Sequence, residues 1–273
     1  MLLLCAEFIF RTVLNDISGE KSIRSVVLNF LDKGKNRDII FVGSSVFYDL
    51  YDDSEKVYNL GMDGANAYTG LEIMRRENVL PVVIFVEMGI NAIMQSDGLH
   101  KEVMNLFKNR ENTLLRRNVF YCSRKENNAL LIIRTLARNV LTSKKERGLE
   151  YISDSHFKRA LGMYVNRQET RVEKGYYENE KVVEYLKRKK ELIDYFIEKG
   201  VIVYLVRAPS HDDMHRARLL EYEIEENIFP HNHYNWVNED NAFVHKKTTD
   251  GIHLLREDSK RFISELMELV PAN

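Results

Sequence analysis

A serine hydroxyl becomes a useful nucleophile when an imidazole can take its proton, and the imidazole works best when a carboxylate fixes its tautomer. This chain holds residues for each of those roles in short blocks. Gly43-Ser44-Ser45-Val46 sets two hydroxyls directly after an apolar run. A glycine there can make a tight turn and leave a hydroxyl exposed. Asp250-Gly-Ile-His253 places a carboxylate three residues ahead of an imidazole, late in the chain. Asn59-Leu-Gly61-Met-Asp-Gly64-Ala65 offers glycines past which backbone N–H groups can approach a ligand, as an oxyanion site requires. Glu87-Met-Gly89-Ile-Asn91 adds a carboxamide that can donate to an oxyanion or cap a following helix. Singly, each block has an ordinary explanation: turn serines, a Gly-rich loop, a capping Asn, a turn Asp beside a surface His. What makes them a set is their order, each at a strand end or a helix start.

Residues so far apart must be brought together by regular elements. Three continuous apolar runs, Asp38–Gly43, Val82–Glu87 and Val201–Val206, predict strands buried on both faces. That is the habit of a parallel sheet covered by helices. Lys56–Asn59 and Tyr234–Val237 are weaker strand candidates. Helices are predicted over Ala67–Arg76, over Glu178–Lys199 and over Arg256–Val270. The second has Val182, Leu186, Ile193 and Phe196 on one face and Gly200 as its stop. The third has Phe262, Ile263, Leu266 and Leu269 as its stripe. Strand alternating with helix predicts an α/β fold: three-layer α/β/α, flavodoxin-like, around a central parallel sheet. Residues 1–37 read as an N-terminal helical segment and 38–273 as the main domain. A helical insertion at about 92–178 is expected above the carboxyl edge of the sheet, where such sheets bind ligands.

The 273 residues carry 40 Lys+Arg against 41 Asp+Glu, a formal charge of −1, which argues against a nucleic-acid partner. With 44% hydrophobic and 30% charged residues, wholesale disorder is excluded. The two cysteines, Cys5 and Cys122, cannot build a disulfide framework or a cysteine-rich zinc site. His211 and His215 stand at i and i+4, a spacing that can hold a metal, but the Glu of a His-Glu-x-x-His helix is missing. No Walker or dinucleotide fingerprint is present either, and neither a metal nor an organic cofactor is expected. Met1–Phe10 is apolar except for Glu7 and too short to cross a bilayer alone. It reads as a docked amphipathic helix in a cytoplasmic protein, or as the end of a membrane-anchor helix that would tether the protein outside the cytoplasm.

The four blocks together resemble those of the SGNH hydrolases, the GDSL esterase/lipase superfamily, from about Asp38 to Val270. The resemblance assigns the nucleophile to Ser45, the general base to His253 and its orienting carboxylate to Asp250. It assigns the oxyanion hole to the Ser45 N–H, the Gly64 N–H and the Asn91 side chain. It implies a serine esterase acting on an acyl ester, an O-acetylated carbohydrate above all, through an acyl-enzyme. Two departures stand out: Ser44 replaces the usual aspartate of the first block, and Ala92 follows Asn91 where many members have Asp. The Gly-Ser-Ser form followed by Asn-Leu-Gly is similar to SGNH-like proteins of bacterial surface-polysaccharide systems. That likeness keeps two alternatives open: an O-acyltransferase of a surface polysaccharide, and a non-catalytic glycan-binding or assembly protein with the same fold.

Overall fold

Five short strands run parallel through the centre: β1 (Ile39–Gly43), β2 (Val57–Gly61), β3 (Val83–Glu87), β4 (Ile202–Val206) and β5 (Asn235–Val237). They were obtained in a computed structural model that describes residues 26–27, 29–48, 50, 57–62, 64–90, 100–101, 103–104, 153–237 and 247–271. Their order is β2-β1-β3-β4-β5, with Ile39 opposite both Val57 and Val83 and Val83 opposite Ile202. β1 is buried along its length and β3 from Val83 to Val86, which is why those runs are continuously apolar. β2 and β5 stand at the two edges, and their partly exposed residues explain the weaker signal.

Helices cover both faces. On one face, Ile39, Phe41, Val83 and Phe85 form a cluster with Phe47 of α1 (Ser45–Tyr48) and with Phe262, Ile263 and Leu266 of the last helix. The Phe41 and Phe85 rings stack at 4.9 Å, and Phe85 stacks on Tyr204 at 5.2 Å. Burial of each such phenylalanine stabilises the fold by about 1.5–3 kcal/mol. On the other face lie α2 (Ala67–Arg76), which meets β1 and β2 at Gly70, and a long helix over Glu180–Glu198. The result is a three-layer α/β/α fold with flavodoxin-like strand order.

After β3 come α3 (Asp154–Glu173), a 3-10 turn (Tyr176–Glu178) and α4 (Glu180–Glu198). Beyond β4 come α5 (Asp212–Ala217) and α6 (Leu219–Ile228), and after β5 comes α7 (Arg256–Met267). α4 starts later than its apolar pattern suggests because Asn179 caps it, its side chain accepting from the Lys181 N–H at 2.9 Å. α7 ends at Met267, so Leu269, 40% exposed, is not part of its buried stripe.

The chain divides into two compact units, residues 1–29 with 101–147 and residues 30–100 with 148–273. In the first, Val26, Val27, Val103 and Met104 are buried. The second contains the whole sheet. A π-helical turn, Phe30–Gly34, falls in the same unit as the sheet, its Phe30 ring 5.4 Å from Tyr58 of β2. Met1–Phe10, Cys5, Cys122 and much of the insertion expected at 92–178 lie outside the described residues. Among the described residues, no helix is long and apolar enough to cross a membrane.

Candidate active site

The sheet changes winding direction between β1 and β3, and in open α/β sheets ligands bind at the carboxyl ends of the strands flanking that point. Here those ends are Gly43 and Glu87. Ser44 turns the chain from β1 into α1: its carbonyl accepts from the Tyr48 N–H at 2.9 Å and its Oγ from the Val46 N–H at 3.3 Å. The turn is also tied across to β3. The Ser44 N–H donates to Glu87 Oε2 at 2.5 Å, and Ser44 Oγ donates to Oε1 at 2.8 Å. Gly43 is required by space, because a Cβ there would collide with the Glu87 carboxylate and the Phe47 side chain. Asn59 holds the far side of α1, its Nδ2 donating to the carbonyls of Phe47 at 2.6 Å and Leu50 at 2.7 Å. Ser45 is thereby presented as the first residue of α1, at the carboxyl edge of the sheet.

His253 arrives from the other end of the chain. A single antiparallel bridge, Thr248 with Leu254, closes the loop that carries it, and the Thr249 N–H donates to the His253 carbonyl at 2.7 Å. Inside that loop Asp250 Oδ1 accepts the backbone N–H groups of Ile252 at 3.1 Å and His253 at 2.9 Å. Oδ2 lies 2.7 Å from His253 Nδ1. The other ring nitrogen, Nε2, lies 3.2 Å from Ser45 Oγ, across 208 positions of sequence. Burial alone would raise the Asp250 carboxyl. The bond to His253, the charge of that ring and the two backbone N–H groups outweigh it and hold the carboxyl below the usual carboxylate range. With an ionised carboxylate at Nδ1, the imidazole proton sits on Nδ1 and Nε2 accepts from the serine.

Ser45, Gly64 and His253 line one open cavity of about 240 Å³. Gly64 sits there with φ +73°, a left-handed conformation that a side chain would strain although there is room for one. Asn91, the third oxyanion donor expected from the sequence, lies outside the described residues. Of the expected set, the structure therefore brings together Ser45, Asp250, His253 and Gly64.

Two features of this site escaped the sequence reading. The first is Glu87, quoted only as the start of a block, which anchors Ser44. Burial pushes its carboxyl up, opposed by the two Ser44 bonds and by the charges of Lys189 and Arg218. Lys189 is itself buried, its Nζ donating to the Glu87 carbonyl at 2.9 Å. The second is Glu221 of α6, fully buried, whose Oε1 accepts from the Ile90 N–H and from Arg218 Nη2, both at 2.7 Å. Its Oε2 accepts from Gln168 Nε2 of α3 at 3.0 Å. One carboxylate thus fixes the segment after β3, the start of α6 and the inner face of α3. A carboxylate ending an otherwise apolar strand is the local cue to Glu87, whereas Glu221 is one of four glutamates in α6 and carries no such cue.

The histidine pair noted in the sequence is occupied otherwise. His211 caps α5, its Nδ1 accepting from the Asp213 N–H at 3.2 Å, and the His215 ring lies 5.1 Å from Tyr222. Comparison of the chain with protein-family models and with curated proteins finds no match.

Proposed function

We propose that this protein is an SGNH-type serine esterase that cleaves an acyl ester, an O-acylated carbohydrate, through an acyl-enzyme. One observation carries the reading: the continuous chain of contacts from Ser45 Oγ to His253 Nε2 at 3.2 Å and from Nδ1 to Asp250 Oδ2 at 2.7 Å. Ser45 Oγ attacks the ester carbonyl carbon while its proton passes to Nε2. The imidazolium, held by Asp250, returns that proton to the departing sugar alkoxide as the acyl C–O bond breaks. Water then gives its proton to Nε2, adds to the acyl carbon and releases the carboxylic acid and free Ser45. The Ser45 and Gly64 N–H groups, with the Asn91 carboxamide, are the proposed donors to the tetrahedral oxyanion. One such donor is worth about 2.7–4 kcal/mol of barrier.

The test is labelling with a fluorophosphonate probe. Covalent capture by the native protein, lost in Ser45→Ala, is the expected result. A folded native protein that neither labels nor releases acetate from any acetylated sugar would refute the esterase reading.

A further inference from the structure

We infer that Leu161 of α3 is a positioning residue for the general base: it holds the turn that carries Asp250 and His253 at its reach from Ser45. The inference rests on the esterase reading and adds a residue that the Ser45–His253–Asp250 chain of contacts does not include.

The turn fixes its own base. The Thr248–Leu254 bridge closes it, and the N–H and Oγ1 of Thr249 both donate to the His253 carbonyl. Its tip is Gly251, whose N–H donates to Thr248 Oγ1 at 3.2 Å. The tip is also held from outside, because the Gly251 carbonyl accepts from the His211 N–H at 2.8 Å. Gly251 has φ +102°, a conformation that strains any side chain, and the place a side chain would take is filled by α3. A Cβ there would come within 2.7 Å of Leu161 Cδ1. The tip therefore packs against Leu161 between Asp250, which orients the imidazole, and His253 itself. A shift of the tip moves both.

Leu161 is the one apolar side chain that α3 buries. Phe157, one turn earlier on the same face, meets the His211 ring edge-on at 5.5 Å. His211 is the residue whose N–H holds the Gly251 carbonyl, so α3 bears on the tip twice, directly and through His211. Tyr164 and Gln168, further along α3, line the cavity; Leu161 is not among the described residues that do. Removing its side chain thus alters the support of the turn and leaves the described ligand surface in place. Nε2 stands 3.2 Å from Ser45 Oγ, and misplacement by about 1 Å can cost about 10²-fold in rate.

The test pairs amide exchange with kinetics on Leu161→Ala and on Leu161→Met, which keeps an apolar side chain of similar bulk. In Leu161→Ala the Ile252 and His253 N–H groups, both bonded to Asp250 Oδ1, should exchange about tenfold faster or more, while the strands stay protected. For the same variant kcat on an acetylated sugar should fall about 10–100-fold with KM changed by less than about threefold. The rate of fluorophosphonate labelling should fall in step, since the probe reads activation of Ser45 without a sugar. Leu161→Met should recover most of each loss. Thermal melting checks the fold, and Leu161→Val reports the same readouts in smaller measure should Leu161→Ala melt early. Unchanged exchange in the turn, acceleration spread equally over the strands, or a loss carried by KM alone would overturn the proposal, as would native kcat in a variant whose turn exchanges faster. A native protein that neither labels nor turns over refutes the esterase reading instead, and exchange at Ile252 and His253 still supports or overturns the hold of Leu161 on the turn.

Discussion

Asp250 uses its two oxygens for different purposes, and that makes an amide a poor substitute. Oδ1 accepts two backbone N–H groups of the His253 loop while Oδ2 faces the ring nitrogen Nδ1. In Asp250→Asn one of the two positions must become an NH2 donor. Placed at Nδ1 it forces the proton to Nε2, where it blocks acceptance from Ser45; placed at the loop it opposes two N–H donors. The expected loss in kcat is about 10³–10⁴-fold, comparable to His253→Ala, with little change in KM. Steady-state kinetics on an acetylated substrate reads it directly, and a loss below tenfold would mean that Asp250 does not set the tautomer. Glu87 offers the complementary case. In Glu87→Gln the amide oxygen can still accept from the Ser44 N–H and the NH2 can donate to Ser44 Oγ, so most activity and stability should remain. Glu87→Ala leaves the Ser44 N–H unpaired at a partly buried position, at a cost of about 1 kcal/mol, and lets the Ser44–Ser45 turn shift. For this variant kcat should fall more than tenfold and the melting temperature should drop. Equal behaviour of the two variants would argue that Glu87 only fills space.

At the scale of elements, α3 is unusual in being held by polar rather than apolar contacts. Of its twenty residues only Leu161 and Gln168 are buried, and Gln168 bonds both Tyr177 and Glu221. Gln168→Ala should therefore release α3 specifically: amide exchange across 154–173 should speed up by one to two orders of magnitude, on the basis of about 1–3 kcal/mol for the lost bonds. The strands should stay protected; uniform acceleration would show that α3 is part of the global core. The same contrast explains what the sequence could reveal. β1, β3 and β4, α2, α4 and α7 follow from apolar runs or stripes, and their positions lie within a few residues of the expected ones. Strand ends were legible as chemistry because the glycines and polar residues there interrupt apolar runs, which is how Ser45 and Gly64 came forward, whereas Asp250 and His253 came forward by their three-residue spacing ahead of the last helix. α5 and α6 were not legible. α6 buries Tyr222, Glu221 and Glu225 while Leu219 is 56% and Leu220 39% exposed, the inverse of an amphipathic pattern. Glu87 was missed for the same reason: its partner is a backbone turn 43 positions earlier, and no local spacing encodes that.

Across the whole molecule, six ionisable side chains form a charged layer beside the site: Glu87 from β3, Lys189 from α4, Arg207 just after β4, Arg218 at the start of α6, and Glu221 and Glu225 within it. Glu221 has a full set of donors, but neither oxygen of Glu225 makes a hydrogen bond among the described residues, and Arg207 Nε stands 3.8 Å away. Burial first, and then the charge of Glu221, push Glu225 up to about 7, against the pull of Lys189, Arg218 and Arg207. Unfolded, the same carboxyl titrates near about 4.3. A raised value means that the folded state prefers the protonated form. Its contribution to stability is complete below about 4.3 and is lost as pH rises through about 7. Asp250 acts in the opposite sense: its lowered value contributes stability above the ordinary carboxylate range and loses it as pH falls. Urea unfolding at pH 5, 6, 7 and 8 should therefore show the native protein weakening relative to Glu225→Gln, which stays neutral throughout. The gap should change by roughly 1–3 kcal/mol over that range, with most of the change below pH 7.5. Because the amide keeps the shape of the protonated acid, the two proteins should be closest in stability at pH 5. A gap that is the same at all four values would mean that Glu225 is ionised throughout, held by Lys189 and Arg207 more strongly than burial opposes it.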